Sequence, residues 1–284
     1  MRTLVFGGSG IVGRAVVAEA ARRGWQVAGL SREQADITRP DLVAAAIADF
    51  RPELVVNCAA FTQVDSCESQ SERAFAVNGL AVGTLAAASR EVGARLLQLS
   101  TDYVFDGEGR EPYGEHHPTA PRSVYGASKL EGERQALAEG ANLVVRTSWI
   151  FGVGGPNFVD AIADKVAAGE LRLRVVADQR GGPTYAPFLA AALADLGEWG
   201  VSGIVHYQNR PAASWFELAT EITRRLRPGI EIEPVTSAEL PRPARRPAYS
   251  VLAVERFERL AGRTVEPWSE GLGRHLGERD KGVA

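Results

Sequence analysis

Thr3-Leu4-Val5-Phe6-Gly7-Gly8-Ser9-Gly10-Ile11-Val12-Gly13 joins a compact apolar run to a glycine-rich turn and the start of a helix. Thr3–Phe6 reads as a buried strand. In the turn, Gly7 permits the tight bend, Gly10 lets the backbone approach a pyrophosphate, and Gly13 lets the helix pack close to a sheet. Free N–H groups at the helix start, together with its dipole, favour an anion there. Ser9, Ile11 and Val12 complete the stretch and are read with the glycines as dinucleotide-binding positions. Such a turn is a weak signal in isolation; its weight comes from its place at the first strand of an alternating series.

That series continues through the first half of the chain. Ile11–Arg23 has helical spacing and ends at Gly24. Strands are expected at Gln26–Leu30, Leu54–Cys58, Arg95–Ser100 and Asn142–Arg146, with helices at Pro40–Phe50, over most of Ser71–Val92, and at Tyr125–Glu139. Strands separated by helices of this length predict an α/β fold, a Rossmann-type doubly wound parallel sheet that binds ligands at the carboxyl ends of its strands. The second half is less regular. Helices are expected at Asn157–Ala168, Pro187–Leu196 and Ser214–Leu226, and strands at Leu173–Val176 and Val201–Tyr207; Pro234–Pro247 reads as an ordered loop or linker. Residues 1–150 are therefore assigned to a dinucleotide-binding domain. Residues 151–284 are assigned mainly to a smaller, discontinuous substrate lobe, with some segments returning to the first domain.

Bulk properties narrow the function classes. A chain of 284 residues with 45% hydrophobic content can build a full core. Its formal net charge of -3 provides no basic field for nucleic acid. Cys58 and Cys67, its two cysteines, fit neither a zinc site nor a redox pair, and reduced thiols in a cytoplasmic protein are expected. No secretory signal is read, and no apolar stretch approaches the ~20 residues that span a bilayer. No metal site is expected.

Tyr125 and Lys129 stand four positions apart, on one face of a helix. A free phenol has a pKa of about 10, and a nearby ammonium is expected to lower it towards useful acidity. Lys129 can also hydrogen-bond a nicotinamide ribose, which makes Tyr125 and Lys129 cofactor contacts as well. Thr101, at the end of the fourth strand, supplies a hydroxyl for the substrate oxygen. At the end of the second strand, where a ribose-binding carboxylate is usual, the sequence has Ser31-Arg32. Arg32 could face a 2′-phosphate with Ser31 hydrogen-bonded to it, favouring NADPH with NADH as the alternative; a solvated surface arginine is the plainer reading. Asp36 and Ile37 follow on the same segment and are counted with the cofactor-binding positions.

These residue types, in this order, resemble the extended short-chain dehydrogenase/reductase family. Longer stretches resemble its dTDP-4-dehydrorhamnose reductases: Val56–Asp65 after the third strand, Ser100–Gly107, Arg146–Phe151 (RTSWIF), Asp178–Thr184 (DQRGGPT) and Arg245–Leu252 (RRPAYSVL). Together they cover nearly the whole chain to Trp268, with Gly277–Ala284 expected as a frayed tail. The resemblance implies reduction of the 4-keto group of a dTDP-linked 6-deoxysugar. By position it implies catalytic Thr101, Tyr125 and Lys129, and cofactor contacts at Ala59, Ala60, Thr62 and Asn78. It places Val64, Thr101, Asp102, Tyr103, Trp149 and Arg246 near the sugar nucleotide. Trp149 and Tyr103 would offer flat apolar faces. Arg246 would pair with the diphosphate, or serve a structural ion pair. A homodimer is carried over as an option, with no partner in nucleic acid or membrane.

Two departures touch the substrate side: Glu115-His116-His117 where the family has Glu-x-Asp, and Tyr249 where a polar residue is common. Two other readings share the fold. A sugar-nucleotide epimerase or dehydratase is one, although dehydratases carry Thr-Asp-Glu where this chain has Thr101-Asp102-Tyr103. A non-catalytic subunit resembling the regulatory subunit of methionine adenosyltransferase is the other.

Overall fold

The structure, a computed structural model, describes residues 1–282. Its centre is a six-stranded sheet of β1 (Arg2–Phe6), β2 (Gln26–Leu30), β3 (Leu54–Asn57), β4 (Arg95–Thr101), β5 (Leu143–Thr147) and β10 (Gly203–His206), in spatial order β10-β5-β4-β3-β1-β2. All neighbours are parallel. Because β1 pairs with β2 on one side and β3 on the other, the chain reverses its winding at β1, which is where a doubly wound sheet leaves a crevice.

Side chains alternate across the strands and feed two cores. Val5, Val56, Leu99 and Val145 point to the face covered by α1 (Ile11–Arg22) and α8 (Ala186–Glu198). Leu4, Phe6, Val55, Leu96 and Val144 point to the other, covered by α2 (Pro40–Phe50) and α5 (Ala81–Glu91). Burial on both faces explains why these strands read as continuous apolar runs. Two elements beyond residue 150, β10 and α8, belong to this layer structure.

The expected helix over Ser71–Val92 is α4 (Ser71–Phe75), a π turn at Ala76–Leu80, and then α5, with the short α3 (Val64–Ser69) ahead of it. Helix α6 (Val124–Leu137) follows β4.

The rest forms a smaller lobe. β7 (Arg172–Val176) pairs in parallel with β12 (Glu231–Val235), backed by α7 (Phe158–Ala167) and α9 (Trp215–Leu226). Three two-residue strands, β6 (Ile150–Phe151), β8 (Arg180–Gly181) and β9 (Thr184–Tyr185), lie near the mouth of the sheet, and β8 pairs with β11 (Ala213–Ser214). Pro234 and Val235, expected in a loop or linker, continue β12 with Val235 buried.

After α10 (Glu255–Ala261), α11 (Trp268–Gly282) replaces the frayed tail expected from Gly277; Val283 and Ala284 lie outside the described residues. Ion pairs from Arg279 to Asp160 and Asp164, and a bond from Tyr185 to Glu278 at 2.9 Å, fasten α11 to α7 and β9. Among the described residues no helix is long and apolar enough to cross a membrane.

Candidate active site

The turn after β1 is built as its glycines require. Gly7 has φ 75°, and a Cβ there would meet the Ala59 backbone nitrogen at 2.6 Å. A Cβ on Gly13 would fall 2.1 Å from the Gly7 carbonyl oxygen, so only glycine lets α1 start this close to the strand end. Gly10 is open on its outer side, its added Cβ meeting only the Gly7 oxygen at 3.5 Å. This cradle fits a dinucleotide pyrophosphate.

Two cavities meet over the cradle, sharing Gly10, Cys58 and Ala60. The first, about 230 Å³, is lined by Gly7, Ser9, Ala59, Arg32, Asp36, Ile37 and Phe61. The second, about 550 Å³, is lined by Ile11, Val12, Gly13, Thr62, Val64, Thr101, Asp102, Tyr103, Tyr125, Lys129 and Trp149. Thr62 therefore faces the reaction cavity rather than the adenosine end. A third cavity, about 480 Å³, adjoins at Tyr103 and Trp215; Lys165, Arg174, Arg242 and Arg246 line it with Phe158, and among the described residues no carboxylate does.

Two expected cofactor contacts are turned elsewhere. Ser31 Oγ donates to Glu33 at 2.7 Å instead of facing the cleft, because the neighbouring carboxylate satisfies it locally. Asn78 sits in the π turn with its amide fully engaged. It accepts from Phe61 N–H at 2.8 Å, and donates to the Phe61 carbonyl and Ser128 Oγ, both at 3.0 Å. It holds the cleft floor from below.

Helix α6 brings Tyr125 to Thr101. Ser123 caps it by accepting from Gly126 N–H at 3.1 Å. Gly126 lies so close to the loop after β4 that an added Cβ would be 2.2 Å from the Tyr103 oxygen. Tyr125 is half-buried, and desolvation pushes its phenol well above the ordinary range; a hydrogen bond with Thr101 opposes this, while Asp102 and Cys67 add to the rise. Lys129 Nζ donates to the Leu99 carbonyl at 2.6 Å, and burial lowers the ammonium itself to about 8.

Asp102 is held by Thr101 Oγ1, which donates to Oδ1 at 3.0 Å. Burial raises its carboxyl to about 6 against hydrogen bonds from Ser250 and Thr101. Among the described residues its Oδ2 and the Thr147 hydroxyl are buried polar atoms with no hydrogen-bond partner, and both residues line the reaction cavity. Native structures rarely leave such atoms unpaired, so they mark places where a polar ligand atom fits.

Trp149 has φ 44°, a left-handed backbone that bulky residues avoid. One face of its indole is covered by Trp215, so it does not present the open faces expected. Arg246 pairs with Asp65 at 2.9 Å and also lines the third cavity, which leaves both of its expected roles standing. Beneath α6 and β5, Glu133 forms a bidentate pair with buried Arg146 at 2.8 and 2.6 Å and accepts from Ser100 Oγ.

Sequence reading missed Arg73, Thr147, Trp215 and three of the third cavity's basic residues, Lys165, Arg174 and Arg242, though not Arg246. No local pattern marks Arg73, which meets Val77 at the first cavity only in the fold. Trp215 is far from Trp149 in sequence and meets it only through the fold.

A parallel sheet with a glycine cradle at its reversal point, and a Tyr/Lys helix folded back over the next strand ends, is the architecture of the extended short-chain dehydrogenases/reductases; the chain is of this class. The family model described as the RmlD substrate binding domain matches residues 1–280, and the chain belongs to the dTDP-4-dehydrorhamnose reductase family. It is 45% identical over 279 residues to the dTDP-4-dehydrorhamnose reductase of Streptomyces griseus, covering 95% of this chain and 91% of that one. It is 43% identical over 277 residues to a probable dTDP-4,6-dihydroxy-2-methyloxan-3-one 4-ketoreductase of Streptomyces antibioticus, with 96% and 93% covered. Among solved structures, the dTDP-4-dehydrorhamnose reductase of Bacillus anthracis in complex with NADP superposes with a TM-score of 0.93 at 34% identity, over 98% of this chain and 99% of that one.

Proposed function

We propose that the chain reduces the 4-keto group of a dTDP-linked 6-deoxysugar, dTDP-4-dehydro-L-rhamnose to dTDP-L-rhamnose, using NADPH, with NADH as the alternative donor. The observation that carries this reading is the pair of cavities joined at Tyr103 and Trp215: one holds Thr101, Tyr125 and Lys129, and its neighbour is basic and aromatic. A ketosugar in the first leaves its diphosphate and base to the second, where Arg246, Arg174 and Arg242 meet the phosphates and Phe158 meets the base.

The Gly7–Gly13 cradle would hold the pyrophosphate, and Lys129 the nicotinamide ribose. When bound, the reduced nicotinamide supplies hydride to the sugar carbon. Tyr125 has to be a proton donor in this direction, and a half-buried phenol that stays protonated at neutral pH suits that role; the developing alkoxide is basic enough to take the proton. Thr101 hydrogen-bonds the same oxygen, and Asp102 accepts from a sugar hydroxyl. On this reading residues 1–150 serve chiefly the cofactor and residues 151–284 chiefly the sugar nucleotide, in a cytoplasmic enzyme.

Dehydratase chemistry would need a carboxylate base where Tyr103 stands, and burial pushes the Tyr103 phenol too high to act as one. A second reading has direct support: the Streptomyces antibioticus relative is nearly as similar as the first, and it is named for a different 4-ketosugar. Both are tested by oxidation of NADPH and NADH with enzymatically generated dTDP-4-keto-6-deoxysugars, supplied with and without the preceding epimerase. Rapid oxidation only with the epimerase present supports the rhamnose route. Oxidation without it supports the second reading, and none with any ketosugar overturns the reductase assignment.

A further inference from the structure

Two arginines line the adenosine cavity: Arg32 after β2 and Arg73 on α4. Their charges are not equivalent. Arg32 Nε is paired with Asp36 Oδ2 at 3.0 Å, and Asp36 is itself fixed by the Thr38 backbone N–H at 2.9 Å and hydroxyl at 2.7 Å. That wall carries almost no net charge, and an incoming phosphate there would compete with a carboxylate already in place. Arg73 makes no ion pair among the described residues. Its guanidinium lies over the Phe61 ring, 4.4 Å from the centroid, and one nitrogen donates to Gln70 Oε1 at 3.0 Å. Stacking on an aromatic face fixes a guanidinium while leaving most of its N–H edge free.

We propose that Arg73, rather than Arg32, selects the phosphorylated cofactor by supplying the uncompensated charge that receives the 2′-phosphate of NADPH. The proposal rests on the cofactor reading above and reverses the expectation drawn from the Ser31-Arg32 segment. A dianionic phosphate is repelled by Asp36 and drawn to the one guanidinium of this cavity that has no carboxylate partner among the described residues. Asp36 then disfavours seating the phosphate on the Arg32 wall, which sharpens the dependence on Arg73.

The test is direct binding, independent of any sugar. NADPH, NADH, adenosine 2′,5′-bisphosphate and 5′-AMP are titrated against wild type, R73Q, R73K and R32Q, with thermal melts as the folding control. Arg73 is exposed, so R73Q is expected to fold. Losing a charged hydrogen-bonding partner should weaken NADPH and the bisphosphate roughly 10- to 100-fold. NADH and 5′-AMP should stay within about twofold, R73K should recover part of the loss, and R32Q should cost less than R73Q. Equal weakening of both cofactors by R73Q would assign Arg73 to the adenine and overturn the proposal. So would loss of NADPH preference in R32Q but not R73Q, or a wild type that prefers NADH. A wild type that binds neither dinucleotide overturns the cofactor reading itself, an outcome distinct from the others.

Discussion

The indoles of Trp149 and Trp215 lie flat on each other, with centroids 3.5 Å apart and planes 6° apart. Trp215 is fixed from behind by its N–H bond to Gln179 Oε1 at 3.1 Å and stands at the start of α9, which is capped by Ser214 and Glu217. It borders both the cavity that holds Tyr125 and the basic cavity, so the stack is a wall between the two.

Trp215→Ala should therefore raise KM for the sugar nucleotide about tenfold, the size expected for a lost aromatic contact, while the affinity for NADPH stays unchanged. Steady-state kinetics with each substrate varied in turn check this. An equal effect on both substrates would mean that the stack merely supports the lobe.

Tyr125→Phe should cost about 10²- to 10⁴-fold in turnover with little change in NADPH binding, because it removes the proton donor and leaves the cradle intact. Single-turnover kinetics and a cofactor titration separate the two effects, and wild-type turnover in the variant would remove Tyr125 from the mechanism.

Asp102 should give the pH profile its acidic limb. Burial raises its carboxyl to about 6, so the carboxylate proposed to accept from a sugar hydroxyl is lost as pH falls through 6; kcat/KM should drop with it, and Asp102→Asn should lack that limb. The stability sign is opposite. A raised carboxyl pKa leaves the folded state protonated between its ordinary value of 3.8 and about 6, so stability declines as pH rises through that window and stays lower above it. Asp102→Asn should accordingly melt higher than wild type at pH 7, by up to about 3 kcal/mol, with no difference below pH 4. Melts at the two pH values decide the matter.

The Glu133–Arg146 pair is almost completely buried, at 2% and 3% side-chain exposure. Glu133→Gln should destabilise by about 3–5 kcal/mol because it strands the guanidinium. Replacing both residues with methionine should recover much of that loss. Denaturant midpoints test the pair, and a double variant no better than the single would show that packing, not charge, is at stake.

Legibility in the sequence followed locality. The strands of the sheet, the glycine turn and the Tyr125/Lys129 helix are set by short-range pattern, and each falls within a residue or two of its expected bounds. What pattern cannot convey is which side chain a neighbour has already claimed. Ser31, Arg32 and Asn78 were read for their type, yet Glu33, Asp36, Phe61 and Ser128 hold them. Lys129 was paired with Tyr125 by helical offset, while its nitrogen went to a carbonyl on β4. Arg73, Thr147, Trp215 and the third cavity depend on contacts between distant elements, and α11 on ion pairs that no local signal announces.

The π turn that carries Asn78 has a mechanical meaning. One amide is bolted at one end to the Phe61 strip under the cofactor and at the other to Ser128, on the helix that bears the proton donor. Gly132 of that helix rests against the Asn78 carbonyl so tightly that a methyl group would lie 2.1 Å from its oxygen. Cleft floor and acid-bearing helix thus form a single stiff piece. Slackness introduced at either end should therefore be felt at the other as a loss of order in amide hydrogen exchange.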